Sequence, residues 1–182
     1  KFSYQVVRFF ILTAHYRSPI NFSDELLTAA QTSLNRIVTC IENLEFLKGK
    51  GKSGSISAED KEILDGYKNK FIQAMEDDLN TAEAISFIFE AVRAINTNVK
   101  SEPANEYIDY SLAILRELTG VLGIAAREKA ETDSTEIEKL IADRAMAKKE
   151  KDFKKADEIR QILLDMGVVI EDTREGTKWK FQ

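Results

Sequence analysis

The stretch Ser23–Leu44, SDELLTAAQTSLNRIVTCIENL, decides the fold class. Ser23 has the chemistry of a helix N-cap, because its hydroxyl can accept from the free amides of a first turn. Asp24 and Glu25 follow in the turn where the helix dipole favours negative charge. Leu26, Leu27, Ala30, Leu34, Ile37, Val38, Ile41 and Leu44 then recur at three- and four-residue spacing, which lines up one apolar face. A face this long has to be buried against other helices.

The same pattern repeats on both sides. Tyr4–Tyr16 is dense in Val, Phe, Ile and Leu and reads as a helix buried on most sides, stopped by Pro19. Gly49–Ser57 is rich in Gly, Ser and Lys and reads as a mobile loop. Ser57 with Asp60 resembles a capping box and opens a third helix with the stripe Ile63, Tyr67, Phe71 and Met75. Asn80 with Glu83 opens a fourth, with Ile85, Ile88, Phe89, Val92 and Ile95. A polar loop carrying Pro103 leads to a fifth, with Leu112, Leu115, Leu118 and Leu122, and Gly123 is its stop. Residues 1–126 are therefore expected to form an antiparallel helical bundle.

Residues 127–135 are polar and read as a linker. Residues 136–182 read as a small second unit. A helix runs from Glu136 to about Lys149, and another, capped by Asp152, ends at Met166 and Gly167. The β-branched run Val168-Val169-Ile170, a turn at Thr173–Gly176 and the alternating Thr177–Phe181 predict a hairpin on that helix pair. The expected class is mainly α. A unit of about 45 residues has a marginal core and needs tight packing or a partner to be rigid.

Composition narrows the options further. Two prolines and eight glycines in 182 residues favour long helices over a strand-rich fold. A net charge of −5 argues against coating nucleic acid by bulk electrostatics. The charge is uneven, however: Ile137–Gln182 holds 11 basic against 10 acidic residues, while residues 1–136 carry a net −6. Seven basic residues fall between Arg144 and Arg160, and a local patch matters more to RNA than the global sum. Cys40 is the sole cysteine, so no intrachain disulfide is possible. It falls in the apolar pattern, as a core filler does, and a reducing cytoplasm is the expected compartment. No run of about 18 apolar residues predicts a membrane span, and Phe9–Ala14 is too short for a signal peptide. A first residue of Lys1 suggests a piece that starts within a longer protein.

Three stretches resemble one family. Val7–Ser23, VRFFILTAHYRSPINFS, is similar to the segment that follows the Lys-Met-Ser-Lys-Ser loop of cysteinyl-tRNA synthetases. Phe71–Ala84, FIQAMEDDLNTAEA, resembles the motif of that family's helical domain, where proline often stands at the place of Ala82. Lys151–Arg160, KDFKKADEIR, followed by MGVVIED at 166–172 and GTKWK at 176–180, resembles the family's C-terminal end. The resemblance implies a tRNA-binding, anticodon-recognising region of a cysteine–tRNA ligase, with tRNA for cysteine and the ligase's own catalytic domain as partners, and neither DNA nor a membrane. It places ATP and zinc in the catalytic part only. One His and one Cys cannot build a zinc site, and there is no glycine-rich phosphate loop. This chain alone is not expected to catalyse.

An anticodon is single-stranded RNA, whose recognition needs a stacking face, base-edge partners and cations for phosphates. Lys148–Arg160 with Asp172 holds all three. Phe153 is either a platform for a base or an apolar plug between two helices. Asp157, four residues on and so on the same helical face, can accept from guanine or cytosine; it can equally be a solvated acid paired with Lys154 or Arg160. The resemblance implies an anticodon contact at Asp157 and at Asp172, the latter otherwise a turn residue bonded to the backbone of Thr173 or Arg174. Lys148 stands where the family tends to have Arg; Lys keeps the charge without the bidentate geometry, which suits a phosphate. Lys151 completes the candidate RNA-binding set, while Lys149, Lys154 and Lys155 form a solvated or phosphate-facing surface. Trp179 either stacks on RNA or anchors the hairpin core. His15 is read as structural, Asp77 and Asp78 as a helix start, and Arg8 and Arg17 as possible backbone contacts. Two other readings stay open: a fragment of the cysteine–amino-sugar ligase of mycothiol synthesis, which shares the early helical region, and a helical protein-interaction module.

Overall fold

The structure, a computed structural model, describes residues 1–101, 103–125, 134–166, 168–173 and 176–181, with backbone only at 134–136, 176, 180 and 181. It divides into two compact units, Lys1–Arg127 and Glu128–Gln182.

Among the described residues five helices build the first unit: α1 (Tyr4–Leu12), α2 (Asp24–Leu47), α3 (Ala58–Glu76), α4 (Thr81–Asn98) and α5 (Asn105–Leu122). A short 3₁₀ turn, Val99–Ser101, follows α4. The expected caps are in place. Ser23 accepts from the amide of Leu26, Ser57 from Asp60, and Asn80 from Glu83. Asn80 also donates its side-chain amide to Glu83 at 2.9 Å, so the α4 cap is reciprocal. All five helices share one apolar core, with Phe9, Ile37, Leu64, Ile88 and Leu115 nearly inaccessible to solvent. Cys40 is part of it.

Three expectations need correction. First, α1 stops at Leu12 and not at Tyr16. Thr81 donates to the Leu12 carbonyl at 2.8 Å, while Asp78 accepts from Tyr16 at 2.9 Å and pairs with Arg17 at 3.0 Å. These long-range contacts draw the segment out of the helix. Second, Leu26 and Ile63 are exposed; the core face of α3 is set by Leu64, Phe71 and Ala74. Third, the loop expected to be mobile at Gly49–Ser57 is tied to the start of α5. The Gly51 amide donates to the Asn105 side chain at 2.7 Å, Lys52 exchanges backbone bonds with Pro103 and Asn105, and Glu106 accepts from Ile56. A side chain at Gly51 would meet the Pro103 carbonyl 2.7 Å away, so glycine is needed for this close approach.

The second unit contains α6 (Ser134–Lys149), α7 (Phe153–Asp165) and an antiparallel hairpin of β1 (Val168–Thr173) and β2 (Gly176–Phe181). Helix α6 thus begins two residues before the Glu136 expected. Residues 127–133 of the expected linker, Gly167 at the expected end of α7, and Arg174 and Glu175 of the expected turn, lie outside the described residues. Ile137, Ile159, Leu163 and Val168 are buried together, with Ile170 and Trp179 packed against them. Ile170 faces Trp179 across the hairpin, and Asp172 faces Thr177 two residues on, on the same side of the sheet.

Two helices end in the same hydrogen-bond pattern, the Schellman motif. At the end of α5, Gly123 donates to Gly120 and Ile124 to Thr119; at the end of α6, Lys151 donates to Lys148 and Asp152 to Ala147. The closing residue is left-handed in both, φ +62° at Gly123 and φ +60° at Lys151.

Candidate nucleic-acid interface

The site is built where α6 hands over to α7 and where the hairpin meets α6. On α6, Ile137, Ile141, Arg144 and Lys148 follow each other at three- and four-residue steps, so they share one face. The apolar end of that face belongs to the core. Farther along, Asp172 of β1 receives the charged end. Arg144 donates to both of its oxygens, at 2.9 and 3.2 Å; Lys148 adds a bond of 2.6 Å and the Thr177 hydroxyl one of 2.9 Å. Four donors fill the acceptor capacity of a carboxylate. The Arg144 guanidinium first, and then Lys148, hold the Asp172 carboxyl well below the usual carboxylate range, against a smaller opposing effect of burial.

Arg144 is the functional residue that the sequence reading passed over as one basic residue among seven. Its side chain is only 7% exposed, and its Nε is buried with no partner among the described residues. The signal was present: a cation in an apolar stripe must find a buried or half-buried acid.

The other candidates stand apart from this clamp. Phe153, the first residue of α7, is 64% exposed and does not plug the helix junction. Asp157, one turn on, is exposed and makes no ion pair or hydrogen bond among the described residues, neither with Lys154 nor with Arg160. Lys151 is exposed, in its left-handed position between the helices. Trp179 lies half-buried against the core. The structure therefore brings Lys148 and Asp172 together, sets Phe153 and Asp157 on one face of α7, and assigns Trp179 to packing.

In the first unit, His15 stacks on Tyr16 with ring centroids 4.8 Å apart, and Arg17 lies 5.2 Å from the Tyr16 ring. Asp78, read as part of a helix start, and Leu79 both have φ +54°. Left-handed backbone at two successive side-chain-bearing residues is strained, and the Asp78 bonds to Tyr16 and Arg17 hold it. Among the described residues no cluster of three or more His, Cys, Asp or Glu suits a metal ion, and no helix is long and apolar enough to cross a membrane.

Comparison with known families defines the class. Residues 70–126 match the DALR domain, and residues 131–179 match the cysteinyl-tRNA ligase anticodon binding domain. The later part of the helical bundle is thus of the DALR type, and the small unit after it is of the anticodon-binding type. It is 47% identical over 179 residues to the cysteine–tRNA ligase of Clostridioides difficile (strain 630), covering 97% of this chain and 38% of that protein. The enzyme of the same name from Lachnospira eligens is 43% identical over 182 residues, or 98% of this chain and 39% of that protein. The one from Lachnoclostridium phytofermentans is 47% identical over 183 residues, with 96% and 39% covered. The chain belongs to the cysteine–tRNA ligase family as its DALR and anticodon-binding region, and spans well under half the length of these relatives.

Proposed function

We propose that this chain binds the anticodon arm of the tRNA for cysteine through the exposed side of its small unit. The observation that carries this reading is the pair on α7: an aromatic ring largely in solvent and, one turn away, a carboxylate with no partner among the described residues. An exposed ring offers a face on which a base can stack. Asp157 accepts from a base edge. Lys148, held by Asp172, and Lys151 meet the backbone phosphates. Asp172 is saturated in the free chain, so it reaches a base only where RNA displaces Lys148 or Thr177. Until then it acts through Lys148 and Arg144 as a positioning residue. On this reading ATP, zinc and the activation of cysteine belong to the part of the ligase outside this chain, and the work is done in the cytoplasm.

The test is fluorescence anisotropy with a labelled stem-loop carrying the cysteine anticodon, against one with its first base changed. Asp157→Ala is expected to weaken the cognate stem-loop by about 1–3 kcal/mol and leave the altered one nearly unchanged. Equal loss on both would remove Asp157 as a base reader. A flat titration at low salt would sink the RNA reading and favour a protein-interaction module.

A further inference from the structure

One groove on the first unit is cationic, although residues 1–136 carry a net −6. It runs between α2 and α4, measures about 450 Å³, and is lined by Asn35 and Arg36 from α2, Arg93 and Asn96 from α4, and Lys100 from the 3₁₀ turn. Among the described residues no carboxylate lines it. Arg93 and Lys100 are seven residues apart, about 10 Å at the helical rise, so their charges are spread along one wall. Arg36 stands on the other wall.

None of these three cations enters an ion pair among the described residues. Elsewhere on the same unit Arg17, Lys68 and Arg116 each pair with a carboxylate. Arg93 also borders a second groove that holds Asp60 and Glu90, yet pairs with neither. Arg36 lies 5.1 Å from the centroid of Phe89. A ring held against a guanidinium restrains it and leaves its N–H edge to another acceptor. Cys40 also borders the groove, but burial pushes its thiol up to about 12, so it stays neutral. Three cations on facing walls, none of them ion-paired among the described residues, repel one another, while the side-chain amides between them can donate. Both features favour an anion with several oxygens.

We propose that the α2–α4 groove is a phosphate-binding site separate from the anticodon module. Its ligand is either a stretch of RNA backbone outside the anticodon arm or a free oligophosphate. The RNA alternative rests on the tRNA-binding reading above; the oligophosphate alternative stands without it. Arg93 and Lys100 are exposed, so the double variant Arg93→Gln/Lys100→Gln is expected to fold, which circular dichroism checks. Amide shifts of the unaltered chain on titration with sodium tripolyphosphate give a second readout free of any substitution.

Three probes separate the outcomes: full-length tRNA for cysteine, its isolated anticodon stem-loop, and tripolyphosphate. If RNA is the ligand, the double variant binds full-length tRNA roughly tenfold more weakly, with a salt dependence shallower by about 1.5 in log–log slope. Its stem-loop affinity stays unchanged. If free oligophosphate is the ligand, tripolyphosphate shifts the amides of Arg93 and Lys100 and raises the melting temperature of the unaltered chain only, and tRNA binding is the same in both. A stem-loop that fails to bind beside a tripolyphosphate response that needs Arg93 would overturn the anticodon reading and keep the groove. Identical tRNA binding in both proteins, with no amide shift from tripolyphosphate, overturns the groove.

Discussion

Helices α5 and α6 close with the same hydrogen bonds, but Gly123 closes one and Lys151 the other. Glycine adopts the left-handed conformation freely, whereas a residue with a Cβ is strained there. The large unit thus ends its last helix with the residue that backbone energetics prefers. The small unit accepts strain and gains a cation beside Phe153. The cores differ in the same sense. One apolar cluster runs through all five helices of the bundle. The small unit has Ile137, Ile159, Leu163 and Val168 at its centre, with the Arg144–Asp172 clamp continuing the contact between α6 and the hairpin. In the small unit the strained Lys151 and the buried Arg144 both fall close to the candidate interface, as such features do in binding sites generally. The bundle carries left-handed residues with side chains too, at Asp78, Leu79 and Ala125.

The sharpest way to break this contrast is to remove the same side chain from each core. Leu115 and Leu163 are both fully buried, and Leu→Ala costs about 2–5 kcal/mol at such sites. Leu115→Ala is expected to lower the bundle's melting temperature and leave it folded. Leu163→Ala is expected to unfold the small unit alone. Calorimetry on the whole chain reads both, and a single transition shared by the two variants would contradict two independently stabilised units.

A smaller effect comes from the clamp. The folded-state pKa of Asp172 is depressed, so its contribution is fully present above the unfolded carboxylate value of about 4 and is lost as pH falls below it. Asp172 is about half exposed, so solvent screening reduces the effect. Asp172→Asn is expected to destabilise the small unit at neutral pH by about 1–3 kcal/mol, by leaving Arg144 buried beside a weaker partner. It should also flatten the response of that unit to acid. An unchanged acid midpoint in a circular dichroism titration would show that other groups set it.

The smallest effect tests the helix ends directly. Lys151→Gly should stabilise the small unit by about 1 kcal/mol by relieving the left-handed backbone, and at the same time weaken binding to the anticodon stem-loop. Stability and affinity moving in the same direction would break the link between strain and function.

Much of this was legible in the sequence because it is local. Ser23, Ser57, Asn80, Asp152 and Gly123 act within one turn of themselves, and all five mark the helix boundaries expected of them. What escaped is non-local. Ile63 and Leu64 offer two adjacent stripes on α3, and only the neighbouring helices decide which turns inward. The end of α1 is set by Thr81 and Asp78, more than sixty residues away. The loop at Gly49–Ser57 is flexible by composition and is held by side chains at the start of α5. In the site, Phe153, Asp157, Asp172, Lys148 and Lys151 could be named from motif and spacing. Arg144 is legible only as a cation in the apolar stripe of α6, and its partner lies on a strand 28 residues away.

Cys40 carries a practical consequence. It is the chain's sole thiol, 1% exposed and held protonated in the bundle core, and alkylating reagents attack only an accessible thiolate. Its labelling rate is therefore a clock for opening of the bundle. A second cysteine placed on the surface of α7 would take a fluorophore selectively without removal of the first, so one molecule can report RNA binding at one unit and breathing at the other.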